Sequence, residues 1–86
     1  MSKIIFTERA WDEYLYWHAQ DRHLLKRIHA LIKDIERNGN DGIGKPEPLR
    51  YQDGLWSRRI DDCHRLVYRL HNDQIEIIQC KGHYDD

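Results

Sequence analysis

Glu47 lies between two prolines, in the run Gly44-Lys45-Pro46-Glu47-Pro48-Leu49. A residue that precedes proline is held out of the helical region, so Lys45 and Glu47 are expected to be extended, with the carboxylate carried on stiff backbone. Four arginines follow, Arg58, Arg59, Arg65 and Arg69, in the stretch LWSRRIDDCHRLVYRL from Leu55 to Leu70. Arginines on neighbouring antiparallel strands can converge on one patch and hold a phosphate through planar, multidentate donors. His83 follows the last apolar run. An acid, guanidinium groups and an imidazole are the set that metal-free RNA cleavage needs. One group takes the proton of the 2′-hydroxyl, cations stabilise the pentavalent phosphorane, and another group protonates the leaving 5′-oxygen. Histidine, with an ordinary pKa of about 6.5, suits the last role at neutral pH. The residues alone leave a plainer reading open: solvated arginines opposite a core face, a surface Glu47, and one of six histidines in a tail. Spacing in sequence does not bring groups together in space.

The elements that must position these groups read as follows. Lys3–Phe6 is a short strand, and Thr7 is suited to cap a helix beginning at Glu8, whose charge complements the helix N-terminus. Trp11, Tyr14, Leu15 and His18 recur at helical spacing and are expected to form the buried face, with Trp17 on its flank. Asp21 caps a second helix, in which Leu24, Leu25, Ile28, Leu31, Ile32 and Ile35 make one apolar side. That helix should end near Arg37, before Asn38-Gly39. The loop 38–44 has three glycines in seven residues but no P-loop pattern and no helix after it, so a flexible connection is expected.

A strand is expected to start at Arg50–Tyr51, and Asp53-Gly54 marks a turn. In Leu55–Leu70 two strands flank an Asp61-Asp62 turn. Arg59 shares a face with Leu55 and Ser57, opposite Trp56, Arg58 and Ile60; Arg65, Val67 and Arg69 lie opposite His64, Leu66, Tyr68 and Leu70. Asn72-Asp73 turns into a final strand over Gln74–Lys81, with Ile75 and Ile77 on one face and Ile78 and Cys80 on the other. The order β-α-α-β-β-β-β predicts an α+β fold: two N-terminal helices packed on a twisted antiparallel sheet of four to five strands.

Eighty-six residues, 40% hydrophobic and 34% charged, bound this to one globular domain over 1–86. A formal net charge of −1 argues against a general nucleic-acid binder, so any RNA contact must come from a local cluster. No apolar run approaches the roughly 20 residues of a membrane span, and no signal peptide is evident, which makes the cytoplasm the expected compartment. Cys63 and Cys80 are then expected to be reduced thiols. Cys80 and His83 could be half of a zinc site, but adjacent Cys63 and His64 face opposite ways on a strand, and no metal or other cofactor is expected.

Trp11-x-x-Tyr14-x-x-Trp17, the Gly44–Leu49 run, Trp56-Ser57-Arg58-Arg59-Ile60, His64-Arg65-Leu66-Val67-Tyr68 and His83-Tyr84 occur in series. Together they resemble the YoeB (Txe/YoeB) toxins of the RelE/ParE superfamily, over about Ile4 to Tyr84. The resemblance implies a bacterial endoribonuclease that enters the 30S A site and cuts mRNA during translation. It assigns Glu47 as general base, His83 as general acid, Arg65 to the transition state, Arg59 to the phosphate and Tyr84 to substrate orientation. Lys45, Arg50 and Arg58 are the implied RNA-binding residues. It also implies a YefM-like antitoxin as partner, contact with operator DNA only through that antitoxin, and a possible homodimer. Cys63 stands where an acidic residue is usual, and the Arg50–Leu55 connection is a residue shorter than the family pattern. Asp85 and Asp86 place negative charge after His83 and are expected to raise its pKa. Two rival readings are a ParE-like gyrase poison, which shares the fold, and an inactive co-repressor that only binds antitoxin.

Overall fold

A computed structural model describes residues 3–50, 52 and 54–83. Its elements are β1 (Lys3–Phe6), α1 (Glu8–Gln20), α2 (Arg22–Asn38), β2 (Glu47–Pro48), β3 (Leu55–Arg59), β4 (Arg65–His71) and β5 (Gln74–Gln79). Local chemistry sets the helix ends. The Thr7 hydroxyl accepts the Ala10 amide at 3.1 Å, which starts α1. Asp21 serves both helices: its amide donates to Trp17 O at 2.8 Å, and its carboxylate accepts Leu24 N at 3.0 Å. Gly39, at φ +64°, closes α2 with its amide on Ile35 O.

The five strands form one sheet in the order β1-β5-β4-β3-β2. The expected α+β arrangement of two helices on a sheet is present, with one difference: β1 pairs with β5 in parallel, so the sheet is mixed. Two helices carry the chain from β1 to the opposite edge of the sheet at β2, and the successive antiparallel strands then lead back, so that the last strand runs alongside the first. A second difference concerns the strand expected at Arg50–Tyr51. The pairing lies upstream, Glu47 opposite Ser57 and Pro48 opposite Trp56, while Tyr51 is outside the described residues.

Helix α2 buries all six of the apolar residues expected, against Leu66, Tyr68, Ile75 and Ile77 of the sheet. Ile28 and Leu31 are wholly removed from solvent, which contributes about 1.5–3 kcal/mol each. The buried face of α1 differs from expectation. Ala10 and Trp17 point inward, whereas Trp11 and Leu15 are 47% and 45% exposed and His18 is exposed. Small Ala10 lets α1 approach the sheet closely, and this rotates the helix so that Tyr14 is half-buried against the core, as expected, while Trp11 stacks on its outer side.

Arg58 corrects a further expectation. Instead of reaching toward RNA, its side chain is wholly buried, on the same sheet face as Trp56 and Leu66. All five of its N–H donors are satisfied: Nε by Tyr68 Oη (3.3 Å), Nη1 by the Asp34 carboxylate and Ile43 O (3.1 Å), and Nη2 by Gly39 O (2.6 Å) and Asp41 O (2.8 Å). The glycine-rich loop is therefore a wrap of carbonyls around a buried cation rather than a loose connection. Asp34 also accepts Ile43 N, and the guanidinium beside it holds its carboxyl below the usual carboxylate value of 3.8. Burial pushes the Tyr68 phenol the other way, up from its usual 10. At Gly44, φ is +79° and a Cβ would stand 2.8 Å from Leu31 Cδ2, so glycine alone fits there.

Cys80 sits in the core beneath Ala10 rather than on the face opposite Ile75 and Ile77, because the register shifts between Tyr68, paired with Ile77, and Val67, paired with Gln79, and the alternation slips by one residue. Burial, with the Glu13 carboxylate adding to it, pushes the Cys80 thiol up to about 12. Cys63 is exposed on the β3–β4 turn. Iodoacetamide is expected to label Cys63 in the native protein and to reach Cys80 only after denaturation. Mass spectrometry of the alkylated peptides reads this directly. Comparable native labelling of both thiols would contradict the packing described.

Candidate active site

Pairing registers place the acid and the arginines on the sheet face away from the helices. Glu47 lies opposite Ser57, Ser57 opposite Val67, and Arg59 opposite Arg65. Directly opposed residues share a face, so Glu47, Ser57, Arg59 and Arg65 project together. Arg65 ties the group: Nε donates to Ser57 Oγ at 3.0 Å and Nη2 to Glu47 Oε1 at 2.9 Å. The Glu47 side chain is 62% exposed, so this ion pair adds little stability and mainly fixes where the two groups stand. Glu47 is extended, as its prolines require, but Lys45 is not: it takes φ +51°, bending the chain between Gly44 and β2.

Arg59 lies on the same face with its guanidinium on the carboxylate of Asp62, an exposed residue of the β3–β4 turn. Lys45 and Arg50 are exposed at either side of β2. Arg58 faces the core and Arg69 is turned to Glu76 at 2.6 Å, so of the four arginines only Arg59 and Arg65 stand on the Glu47 face near one another.

From Cys80 to Gly82 the tail after β5 is held to this region. Glu13 Oε1 accepts Cys80 N, Trp17 Nε1 donates to Cys80 O at 2.8 Å, and the Lys81 ammonium lies 4.6 Å from the Tyr16 ring centre. Gly82 O accepts Arg65 N at 3.0 Å, and Gly82 N donates to His64 Nδ1 at 2.8 Å. His83 comes next and is exposed. The tail thus docks on the backbone of the residue whose side chain holds Glu47. Tyr84, Asp85 and Asp86, with the roles expected of them, lie outside the described residues.

The arrangement holds a carboxylate with a fork of guanidinium donors beside it, and the docked tail leads on to His83. The family of YoeB-like toxins of bacterial type II toxin–antitoxin systems matches residues 6–84. The chain belongs to that family.

A YoeB toxin of Streptomyces coelicolor is 51% identical over 83 residues, spanning 95% of this chain and 99% of that one. The YoeB dimer of Staphylococcus aureus superposes with a TM-score of 0.92 at 44% identity, over 96% of this chain and 98% of the other. YoeB from the heterotetrameric YoeB–YefM complex of the same species gives 0.90 at 43% identity, over 98% and 99%. In this member of the YoeB family, sequence reasoning passed over three residues that build the site. Ser57 fixes the Arg65 fork, Gln79 is buried with Nε2 donating to Lys81 O, and His64 accepts from Gly82. For Ser57 the signal was its alternation with Arg59; for His64 and Gln79 no spacing in the chain announces the tail they hold. Among the described residues no cluster of three metal-binding side chains occurs, and no helix is long and apolar enough to cross a membrane.

Proposed function

We propose that this protein is a ribosome-dependent mRNA endoribonuclease, the toxin of a toxin–antitoxin pair, working in the cytoplasm on translated message. The observation that carries the reading is the 2.9 Å contact between Glu47 and Arg65 on an open sheet face, with the His83-bearing tail anchored to Arg65 through Gly82. Glu47 takes the 2′-hydroxyl proton, and the freed oxygen attacks the neighbouring phosphorus. Arg65 leaves Glu47 for the phosphorane oxygens as charge builds there, with Arg59 released from Asp62 to the phosphate. His83 protonates the leaving 5′-oxygen, and Tyr84 orients the substrate. Lys45 and Arg50 flank the acid and meet adjacent phosphates. The chain needs no cofactor for these steps. Its partners are the 30S A site with its mRNA and a YefM-like antitoxin, through which it reaches operator DNA; self-association follows the Staphylococcus aureus relative.

Primer extension on a reporter mRNA in a purified translation system tests this, with and without ribosomes. Cuts that require ribosomes support the reading. Cuts on free RNA would make the protein an ordinary ribonuclease, and none under either condition would turn attention to gyrase supercoiling. Within the same assay Arg65→Lys is expected to slow single-turnover cleavage roughly tenfold, because lysine keeps the charge but lacks the planar fork. A wild-type rate for that variant would show that the fork is not used.

A further inference from the structure

We infer that His64 is a positioning residue for His83, acting through the single hydrogen bond its Nδ1 accepts from the Gly82 amide. The inference rests on the ribonuclease reading for its catalytic consequence and on geometry alone for its structural one. Three observations carry it. First, the imidazole is itself fixed: its ring meets the buried Trp17 edge to face, with centres 4.7 Å apart. The His64 backbone is tied by Ile60 N on its carbonyl and by the Asp61 carboxylate on its amide. Second, the residue it grips is the last pivot before His83. Gly82 takes φ +80°, and nothing lies within 4 Å of where a Cβ would be, so side-chain packing does not determine its conformation. Its hydrogen bonds do: the carbonyl accepts Arg65 N and, at 3.5 Å, Gln79 Nε2, and the amide donates to His64. Third, Trp17 joins both ends of the device, packing on His64 and donating to Cys80 O.

Acceptance at Nδ1 requires a lone pair there, so the ring is the neutral tautomer with its proton on Nε2. A carbonyl held by the strand fixes where Gly82 is, and the imidazole fixes which way its peptide plane turns. Together they fix the direction in which the chain delivers His83. With bonds left only on the Gly82 carbonyl, from Arg65 N and at 3.5 Å from Gln79 Nε2, the amide side of the plane is free to swing, and His83 samples orientations that do not reach a leaving oxygen.

The test uses the whole chain with two substitutions. His64→Phe keeps a ring against Trp17 and removes the acceptor, while His64→Asn places Oδ1 near the lost Nδ1. His64→Phe is expected to lower single-turnover kcat on ribosome-bound mRNA roughly tenfold with KM unchanged, and His64→Asn to recover most of the loss. Amide exchange followed by NMR should show Gly82 deprotected about tenfold in His64→Phe and protected again in His64→Asn, with Leu66 and Ile77 unchanged in both. Should the phenylalanine chain not fold, His64→Leu replaces it in both measurements. Wild-type Gly82 protection in the acceptor-less variant would overturn the inference, and so would equal loss of kcat in both variants. The exchange result stands whether or not the natural protein cuts RNA, so it separates failure of this inference from failure of the ribonuclease reading.

Discussion

A chain carrying His83→Gln is expected to cleave ribosome-bound mRNA roughly 10²–10⁴-fold more slowly than the natural sequence in single turnover. Glutamine keeps a similar reach and can donate a hydrogen bond, but it has no proton to give to a departing 5′-oxygen. The alkoxide must then leave unprotonated or borrow a proton from water, and the barrier rises accordingly. His83 is exposed, so the melting temperature should stay within a degree or two of the natural protein, and binding to ribosomes should persist. Single-turnover conditions matter, because slow product release would otherwise mask the chemical step. Cleavage within threefold of the natural rate would remove His83 from the reaction and leave Glu47 and Arg65 as an ion pair without an acid.

Replacing Arg58 by methionine is expected to be the most damaging single change to the fold. Methionine fills much of the volume but leaves the carbonyls of Gly39, Asp41 and Ile43 without their shared donor and the Asp34 carboxylate without its counter-ion. Breaking a buried pair from one side costs about 3–5 kcal/mol. An 86-residue domain has roughly 4–13 kcal/mol to lose. Urea unfolding followed by tryptophan fluorescence measures the difference, and a loss below about 1 kcal/mol would mean that the loop finds other donors. The pH dependence carries a second signature. Asp34 titrates lower in the folded protein than its usual 3.8, so its contribution is present above about pH 4 and fades as acid protonates it below that. Arg58→Met should lose this part of the acid sensitivity, since the cation that lowers the Asp34 pKa is gone.

Much of the architecture was legible because local signals and periodicity agreed. Thr7, Asp21 and Asn38-Gly39 marked helix ends through capping chemistry, and the α2 stripe was broad enough to admit one orientation only. The α1 stripe was ambiguous since apolar residues surround much of that helix. Only the tertiary fit of Ala10 against Cys80 decides its rotation. Glu47 and Arg65 were nameable as chemistry but not as neighbours, because strand register depends on partners that alternation does not reveal. Arg58 shows the limit most clearly. Its placement beside Trp56 and Ile60 already pointed to the core face, yet the Asp34 that makes burial tolerable comes from α2, 24 residues away.

The pairing of β1 with β5 joins Lys3 to Gln74 and Phe6 to Ile77, contacts spanning 71 residues. Thr7 adds a hydroxyl bond to Ile78 O across the same seam. Closing so long a loop must be met before those contacts return anything, and folding times for chains of high contact order run toward milliseconds to seconds. During synthesis the first strand waits without a neighbour until the codons for Gln74–Gln79 have been read and that segment has cleared the exit tunnel. A copy interrupted earlier can form helices and the β3–β4 hairpin but has no strand to seat between β1 and β4. A message cut short therefore yields an unfinished fold, and maturation is timed by the last strand rather than by the first.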